Sequence, residues 1–278
     1  MSSLRIMYER STRRCGRWNR GGYMGKPIAG IQMYALRDEA ERDILGTLEK
    51  IADMGYKAIE SIGYFNSPPE QLKKRADELG IDIPSMLVSL NFKTLAKLDR
   101  DFANDIEYAA GIGVSYITVP WVPMHEQPTI EDMHFLADVL IRCGEQTKAL
   151  GMKLALHNHD YELKLVDGKP AFDRLLELVP EELMAAELDL GWIYIAGYNP
   201  AEYLKKHKAR TPLVHIRNFK TGRKDTELGK GVIEMEQLLQ EIEKTDVQYM
   251  FVEQEDFLTS SLDSAKANIL YLKKLGYA

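Results

Sequence analysis

Seven acid and imidazole side chains stand where short apolar runs of this chain stop: Glu60, His157, His159, Glu162, Asp189, His215 and Glu253. The densest group follows Leu154-Ala155-Leu156, where the run gives way at once to His157-Asn158-His159-Asp160-Tyr161-Glu162. Acids and imidazoles buried side by side cost free energy unless something positive neutralises them. A divalent cation is the simplest neutraliser. Mixed His and carboxylate donors suit manganese, zinc, cobalt or iron better than magnesium, which prefers all-oxygen shells. A cation held there polarises a carbonyl and its neighbouring hydroxyl, which opens proton abstraction α to that carbonyl through an enediolate. Glu253 is the first candidate for general base, because a carboxylate beside a cation on a dry strand end can be tuned to the task. His157, His159 and Glu162 compete for the partner acid/base role.

Each residue has a plainer reading on its own. Asp189 could begin a loop, and His215, between Val214 and Ile216, could be a satisfied core histidine. Glu253 after Met250-Phe251-Val252 is harder to explain away, since a buried strand has little use for a carboxylate. The joint placement at successive strand ends is what favours a metal site. Trp121 and Trp192 offer flat apolar faces for the C–H side of a sugar ring, or else pack in the core or at its rim. Arg217 and Lys220 either hold a phosphate or pair with acids at the surface.

The elements that must position these residues repeat as strand then helix. Residues 28–34, 57–62, 81–90, 116–119, 154–157, 183–189, 213–216 and 249–253 read as strands. Between them, Ile44, Leu48, Ile51 and Met54 recur at helical spacing, with Gly55 as the stop. Pro68-Pro69 opens a second helix, ended by Gly80, and a third covers about residues 98–110. Thr129 caps a fourth, with Asp132 three residues on, close to a capping box. Further helices cover residues 172–178, a stretch from Asn199-Pro200, and residues 235–243 and 264–275. Eight such units without a composition break give an α/β fold, a (β/α)8 TIM barrel, whose strand ends converge on one pocket. A doubly wound open sheet would want a Gly-rich phosphate turn after the first strand, and Tyr34-Ala35-Leu36-Arg37-Asp38 is not one.

Composition narrows the class. The 278 residues suit one large barrel, and 45% hydrophobic content is ordinary for a water-exposed globule. The apolar runs are too short to span a bilayer, so no membrane partner is expected. A net charge of −6 argues against a nucleic-acid partner. Cys15 and Cys143 lack metal or disulfide spacing, which fits a reducing compartment and a cytoplasmic location. Residues 1–23 differ, with six Arg and one Glu, leaving −11 on residues 24–278. They lack a secretory h-region and read as a transit peptide, a basic arm or, preferably, a mis-assigned start upstream of Met24. Residues 24–278 read as a single barrel domain.

The motifs resemble one family closely. Gly30-Ile31-Gln32-Met33-Tyr34-Ala35-Leu36-Arg37-Asp38 is similar to the "GlQlYslRd" start of one branch of the xylose isomerase-like sugar phosphate isomerase/epimerase superfamily. His157-Asn158-His159-Asp160-Tyr161-Glu162 resembles that branch's "HNHDfEF" strand five. Val214-His215-Ile216-Arg217-Asn218-Phe219 is similar to "vHlKDf", and Leu228-Gly229-Lys230-Gly231-Val232-Ile233 to "lGeGvid". The resemblance covers about residues 28–278. It implies a metal held by Asp189, His215 and Glu253, with a fourth ligand from the end of strand five. Better-known epimerases of the superfamily place a glutamate in that slot, which falls on His157 here. In those enzymes the strand-five and strand-eight glutamates are both ligands and the two proton-transfer bases. With His157 in the slot, Glu162 becomes a candidate for the second carboxylate.

The implied function is a divalent-metal-dependent sugar isomerase or epimerase acting on a small sugar or sugar derivative. The same enediolate can instead expel a β-leaving group, which makes a dehydratase or lyase of a keto-sugar, 3-keto-glycoside or inosose the alternative. A non-catalytic barrel subunit is a further reading, and a homo-oligomer is left open. Endonuclease-IV-like repair enzymes share the barrel but need more metal ligands and a basic face.

Overall fold

The computed structural model describes residues 25–278, so the basic segment 1–23 and its alternative start at Met24 lie outside the described residues. Eight parallel strands close into a barrel: β1 (Ile28–Gln32), β2 (Ala58–Ile62), β3 (Asp82–Leu87), β4 (Tyr116–Val119), β5 (Lys153–His157), β6 (Met184–Asp189), β7 (Leu213–Ile216) and β8 (Tyr249–Val252). Each strand pairs with its sequence neighbour, and β8 closes on β1 with Ile31 opposite Val252. The (β/α)8 expectation therefore holds. Among the described residues no helix is long and apolar enough to cross a membrane.

Eight of the nine helices among the described residues follow the apolar spacing read from the sequence, and the sixth is additional. They are α1 (Arg37–Met54), α2 (Pro69–Leu79), α3 (Leu95–Ile112), α4 (Ile130–Ala149), α5 (Ala171–Leu178), α6 (Leu190–Ile195), α7 (Pro200–His207), α8 (Met235–Ile242) and α9 (Ser261–Lys274). Gly55 closes α1 at φ 106° and Gly80 closes α2 at φ 66°, left-handed values that a side chain disfavours. Thr129 and Asp132 form the capping box expected at the start of α4. Two limits move. β1 stops at Gln32, because the Gln32 side chain accepts from the Tyr34 N–H and starts a 3-10 turn. The last helix begins at Ser261, three residues before the expected Ser264, because Ser260 caps it through the Asp263 N–H.

Two cores result from the two faces of the strands. Outward residues such as Ile59, Ile117, Leu154, Leu156 and Val214 pack under the helices and are fully buried. Each such side chain contributes about 1.5–3 kcal/mol. Inward residues Ala58, Tyr116, Ala155, Ala185, Leu213 and Phe251 form a separate apolar plug inside the barrel. Because side chains alternate, the next inward position toward the strand C-terminus is two residues on. Those positions are Glu60, Thr118, His157, Glu187, His215 and Glu253, all buried. The barrel interior thus changes from apolar to ionisable within one step along each strand.

Candidate metal centre and active site

Local structure fixes each member of the polar layer. Asp189 ends β6 and caps α6, its Oδ1 accepting from the Trp192 N–H at 2.9 Å, so the carboxylate is aimed and half-satisfied. Asn158 clamps β5 to β6: the Asp189 N–H donates to Asn158 Oδ1 (3.1 Å), and Asn158 Nδ2 donates to the Asp189 carbonyl (3.3 Å). That clamp sets His157 and Asp189 side by side. Glu253 follows β8 directly, its N–H donating to the Ile216 carbonyl at 3.2 Å, which ties it to the end of β7.

The result is a four-residue cluster. One donor atom from each of His157, Asp189, His215 and Glu253 lies within 4.8 Å of the others, and all four residues are buried. His215 Nδ1 is 2.9 Å from Glu253 Oε2, and Asp189 Oδ2 is buried with no hydrogen-bond partner. Two imidazoles and two carboxylates, one with an orphaned oxygen, fit a divalent transition metal or zinc by donor type and separation. His157 stands in this group; Glu162 does not.

The electrostatics are those of a site short of positive charge. Burial pushes the Asp189 carboxyl up to about 6, against the pull of Arg217. Burial also opposes ionisation of Glu253, but Arg217 and His215 outweigh it and hold that carboxyl well below the usual range. Burial alone would lower the His215 imidazole, yet Glu187 and Glu60 raise it well above its ordinary value. His157 moves the other way: burial, with His215 and His159 nearby, holds it well down and neutral. Around His215 the carboxylates outnumber the cations, the imbalance that a bound divalent ion would offset.

Beneath the cluster lies a tier that sequence reading largely missed. Glu60 Oε2 is 2.7 Å from His215 Nε2, and Glu60 Oε1 accepts from Ser85 Oγ (2.7 Å), itself 2.9 Å from Thr118 Oγ1. Glu187 is fully buried, with neither carboxylate oxygen hydrogen-bonded, and burial together with Glu60 pushes it well up. Its signal was present: Glu187 is two residues before Asp189, hence on the same inward face of β6.

The remaining candidates fall around the mouth. Glu162 is fully buried in a short 3-10 turn, and its carboxylate accepts from the His159 N–H (2.8 Å) and the Val122 N–H (3.4 Å). His159 keeps its side chain 28% exposed and stacks on Tyr161, ring centroids 5.0 Å apart. Burial would lower it, but Glu162 outweighs burial and raises it. Trp192 packs 5.8 Å from His159, and the guanidinium groups of Arg217 and Arg223 each lie 4.9 Å from its ring. Trp121 is 39% exposed after β4, near Phe92. Arg217 is not a surface residue: it is buried, bonded to Asp225 (2.7 Å) and Glu255 (2.9 Å), and 3.4 Å from Glu253 and 3.6 Å from Asp189. Gly191 leaves it room, since a Cβ there would collide with the Arg217 Cγ. Lys220 is exposed on the hairpin that follows β7, whose Arg223 makes a bidentate pair with Asp160 (2.7 and 2.8 Å).

A closed parallel barrel with acids and imidazoles at the C-terminal strand ends is the class defined so far. Residues 48–275 match the family described as xylose isomerase-like TIM barrel, and the chain belongs to that family. It is 28% identical over 190 residues to the inosose dehydratase of Geobacillus kaustophilus (strain HTA426), a match over 62% of this chain. The match spans 61% of that relative, less than two thirds of its length. A sugar phosphate isomerase/epimerase from Parabacteroides distasonis ATCC 8503 superposes with a TM-score of 0.78 at 23% identity, over 91% of this chain and 99% of that one. An IolI protein with a bound zinc atom superposes at 0.70 and 15% identity, over 89% and 97%. At such identities the two structures speak for the fold.

Proposed function

We propose that the protein is a divalent-metal-dependent enzyme that removes a proton α to a carbonyl of a small sugar derivative and then expels a β-hydroxyl or β-alkoxyl group. His157, Asp189, His215 and Glu253 would hold the ion. When bound, it polarises the carbonyl and offsets the negative charge that grows on oxygen. Glu253, ionised and on a strand end, takes the α-proton. His159, raised by Glu162 and half-open at the mouth, carries the proton that the leaving oxygen needs. Trp192 and Trp121 offer apolar faces to the ring, and Arg217 pulls the Glu253 carboxyl down. Lys220 stands on the adjoining hairpin as a candidate contact for a charged substrate.

The observation that carries this reading is the fate of Glu162. A symmetric two-carboxylate exchange wants a second free carboxylate at strand five, and Glu162 is committed to two backbone N–H groups. One carboxylate base and one protonated histidine suit elimination better than inversion. The likeness to inosose dehydratases supports the same outcome and a keto-sugar, 3-keto-glycoside or inosose as substrate class. Isomerisation or epimerisation is the second reading. It is favoured by His159, which Glu162 raises and which is partly exposed, so that it would return a proton from a different unit of the barrel than Glu253.

The test is incubation of metal-loaded protein with keto-sugars, 3-keto-glycosides and inososes in deuterium oxide, followed by NMR. Loss of water or of the aglycone, with exchange at the α-carbon, is expected. An epimer or isomer carrying solvent deuterium selects the second reading, and exchange on none of them removes both.

A further inference from the structure

Glu187 is absent from the chemistry above, yet it lies between the two histidines of the cluster. Its Oε2 is 3.4 Å from His157 Nδ1 and 3.4 Å from His215 Nε2. Glu60 also faces His215 Nε2, and is closer at 2.7 Å. A neutral imidazole carries one N–H, so each ring can donate through one nitrogen and must leave the other free. His215 meets an acid at each nitrogen, Glu253 at Nδ1 (2.9 Å) and Glu60 at Nε2 (2.7 Å); a cation shared with Glu253 would claim Nδ1, which sends the proton to Glu60, held in place by Ser85 and Thr118. That leaves Glu187 with both oxygens unpartnered and His157 Nδ1 buried and unpartnered beside it. With Glu60 taking the His215 proton, the two orphans, 3.4 Å apart in a dry interior, are left to partner each other.

We infer that Glu187 and Glu60 are positioning residues that fix opposite tautomers on the two histidines: Glu187 holds the proton on Nδ1 of His157 and frees Nε2, while Glu60 holds the proton on Nε2 of His215 and frees Nδ1. The freed His215 nitrogen is the one 2.9 Å from Glu253, on the side of the cluster. A carboxylate behind a metal-binding imidazole orients the ring and raises its basicity, and removing it lowers metal affinity by about 10–100-fold. The inference rests on the metal reading proposed above.

It makes a prediction with two opposite signs. In the metal-free protein Glu187 is a buried carboxyl without a hydrogen bond, which costs stability. Glu187→Met should therefore raise the melting temperature of the metal-free protein. The same change should weaken zinc or manganese binding, read by competition with a chelating dye, by about 10–100-fold. Glu187→Gln keeps an oxygen for the His157 N–H and should recover most of that loss. Long-range 15N–1H NMR of the zinc-loaded protein should show His157 protonated at Nδ1 and His215 at Nε2. A purely structural Glu187 would lower the melting temperature and leave affinity and tautomers alone, and that result overturns the inference. So does the opposite tautomer on either ring. Wild-type protein that takes up neither zinc nor manganese would instead sink the metal reading itself.

Discussion

Asp173 and Asp189 are both buried acids, at 2% and 0% exposure, and they are treated in opposite ways. Asp173 sits in α5 with three partners: the Tyr203 hydroxyl donates at 2.5 Å, His207 Nε2 lies at 2.9 Å, and Lys206 makes an ion pair. Burial would raise it, but His207, Lys206 and Tyr203 together hold it at about 2. Asp189 reaches about 6, keeps one oxygen without a hydrogen bond, and shares its surroundings with Glu187, which has a hydrogen bond on neither oxygen. The chain can evidently satisfy a buried acid where the acid is structural. Several unsatisfied acids and imidazoles converge at one end of the barrel, and the metal ion proposed above would be their missing partner.

The widest separation of the two regions should come from Glu253. Glu253→Gln removes the proposed base while Asp173 and its partners stay intact. We expect solvent-deuterium exchange into substrate to fall by about 10²–10⁴-fold, the range for loss of a general base. Metal content should be read in parallel, because Glu253 is also a proposed ligand. Exchange at the wild-type rate would end its assignment. The next effect is on stability. Zinc or manganese at about 100 times its dissociation constant adds about 2.7 kcal/mol to a protein that binds it only when folded. For a chain of this size that is roughly 5–10 °C in melting temperature. A chelator should reverse the shift and Asp189→Asn should abolish it, whereas Asp173→Asn should leave the shift intact on a lower baseline. Equal shifts in wild-type and Asp189→Asn proteins would erase the distinction between the two acids.

How far the sequence reveals this depends on whether the determining contact is local. The eight strands were legible because each is an apolar run that stops at a polar residue, and His157, Asp189, His215 and Glu253 were legible because they are those stops. Glu187 was passed over because it lies inside a run; alternation from Asp189 would have found it. The helix α6 was missed because Asp189 was read as a site residue, although an Asp at a strand end is also a helix cap. Glu162 was placed among the competitors for the site because its type is right. What its carboxylate faces depends on the fold of the turn after β5 and on Val122 from another unit. Arg217 reads in the sequence as either a phosphate contact or a partner of surface acids; its burial against Gly191, Asp225 and Glu255 comes from a hairpin packing back on the mouth. Those contacts are long-range, and local pattern carries little of them.

The smallest effect concerns Asp173 alone, and its sign distinguishes a satisfied acid from an unsatisfied one. Its carboxyl titrates at about 2 in the folded protein against an ordinary 3.8. The unfolded chain therefore takes up the proton first as pH falls. The stability Asp173 contributes is complete above about pH 4 and is lost between about pH 4 and pH 2. Screened in part by water at the exposed Lys206, a shift of that size corresponds to about 1–2 kcal/mol, or roughly 2–8 °C for a chain of this length. Asp173→Asn should consequently melt lower than wild type at neutral pH, with the gap closing toward pH 2. A gap of constant size across that window would mean that Asp173 stabilises through packing rather than charge. The contrast with the barrel mouth would then rest on Asp189 and Glu187 alone.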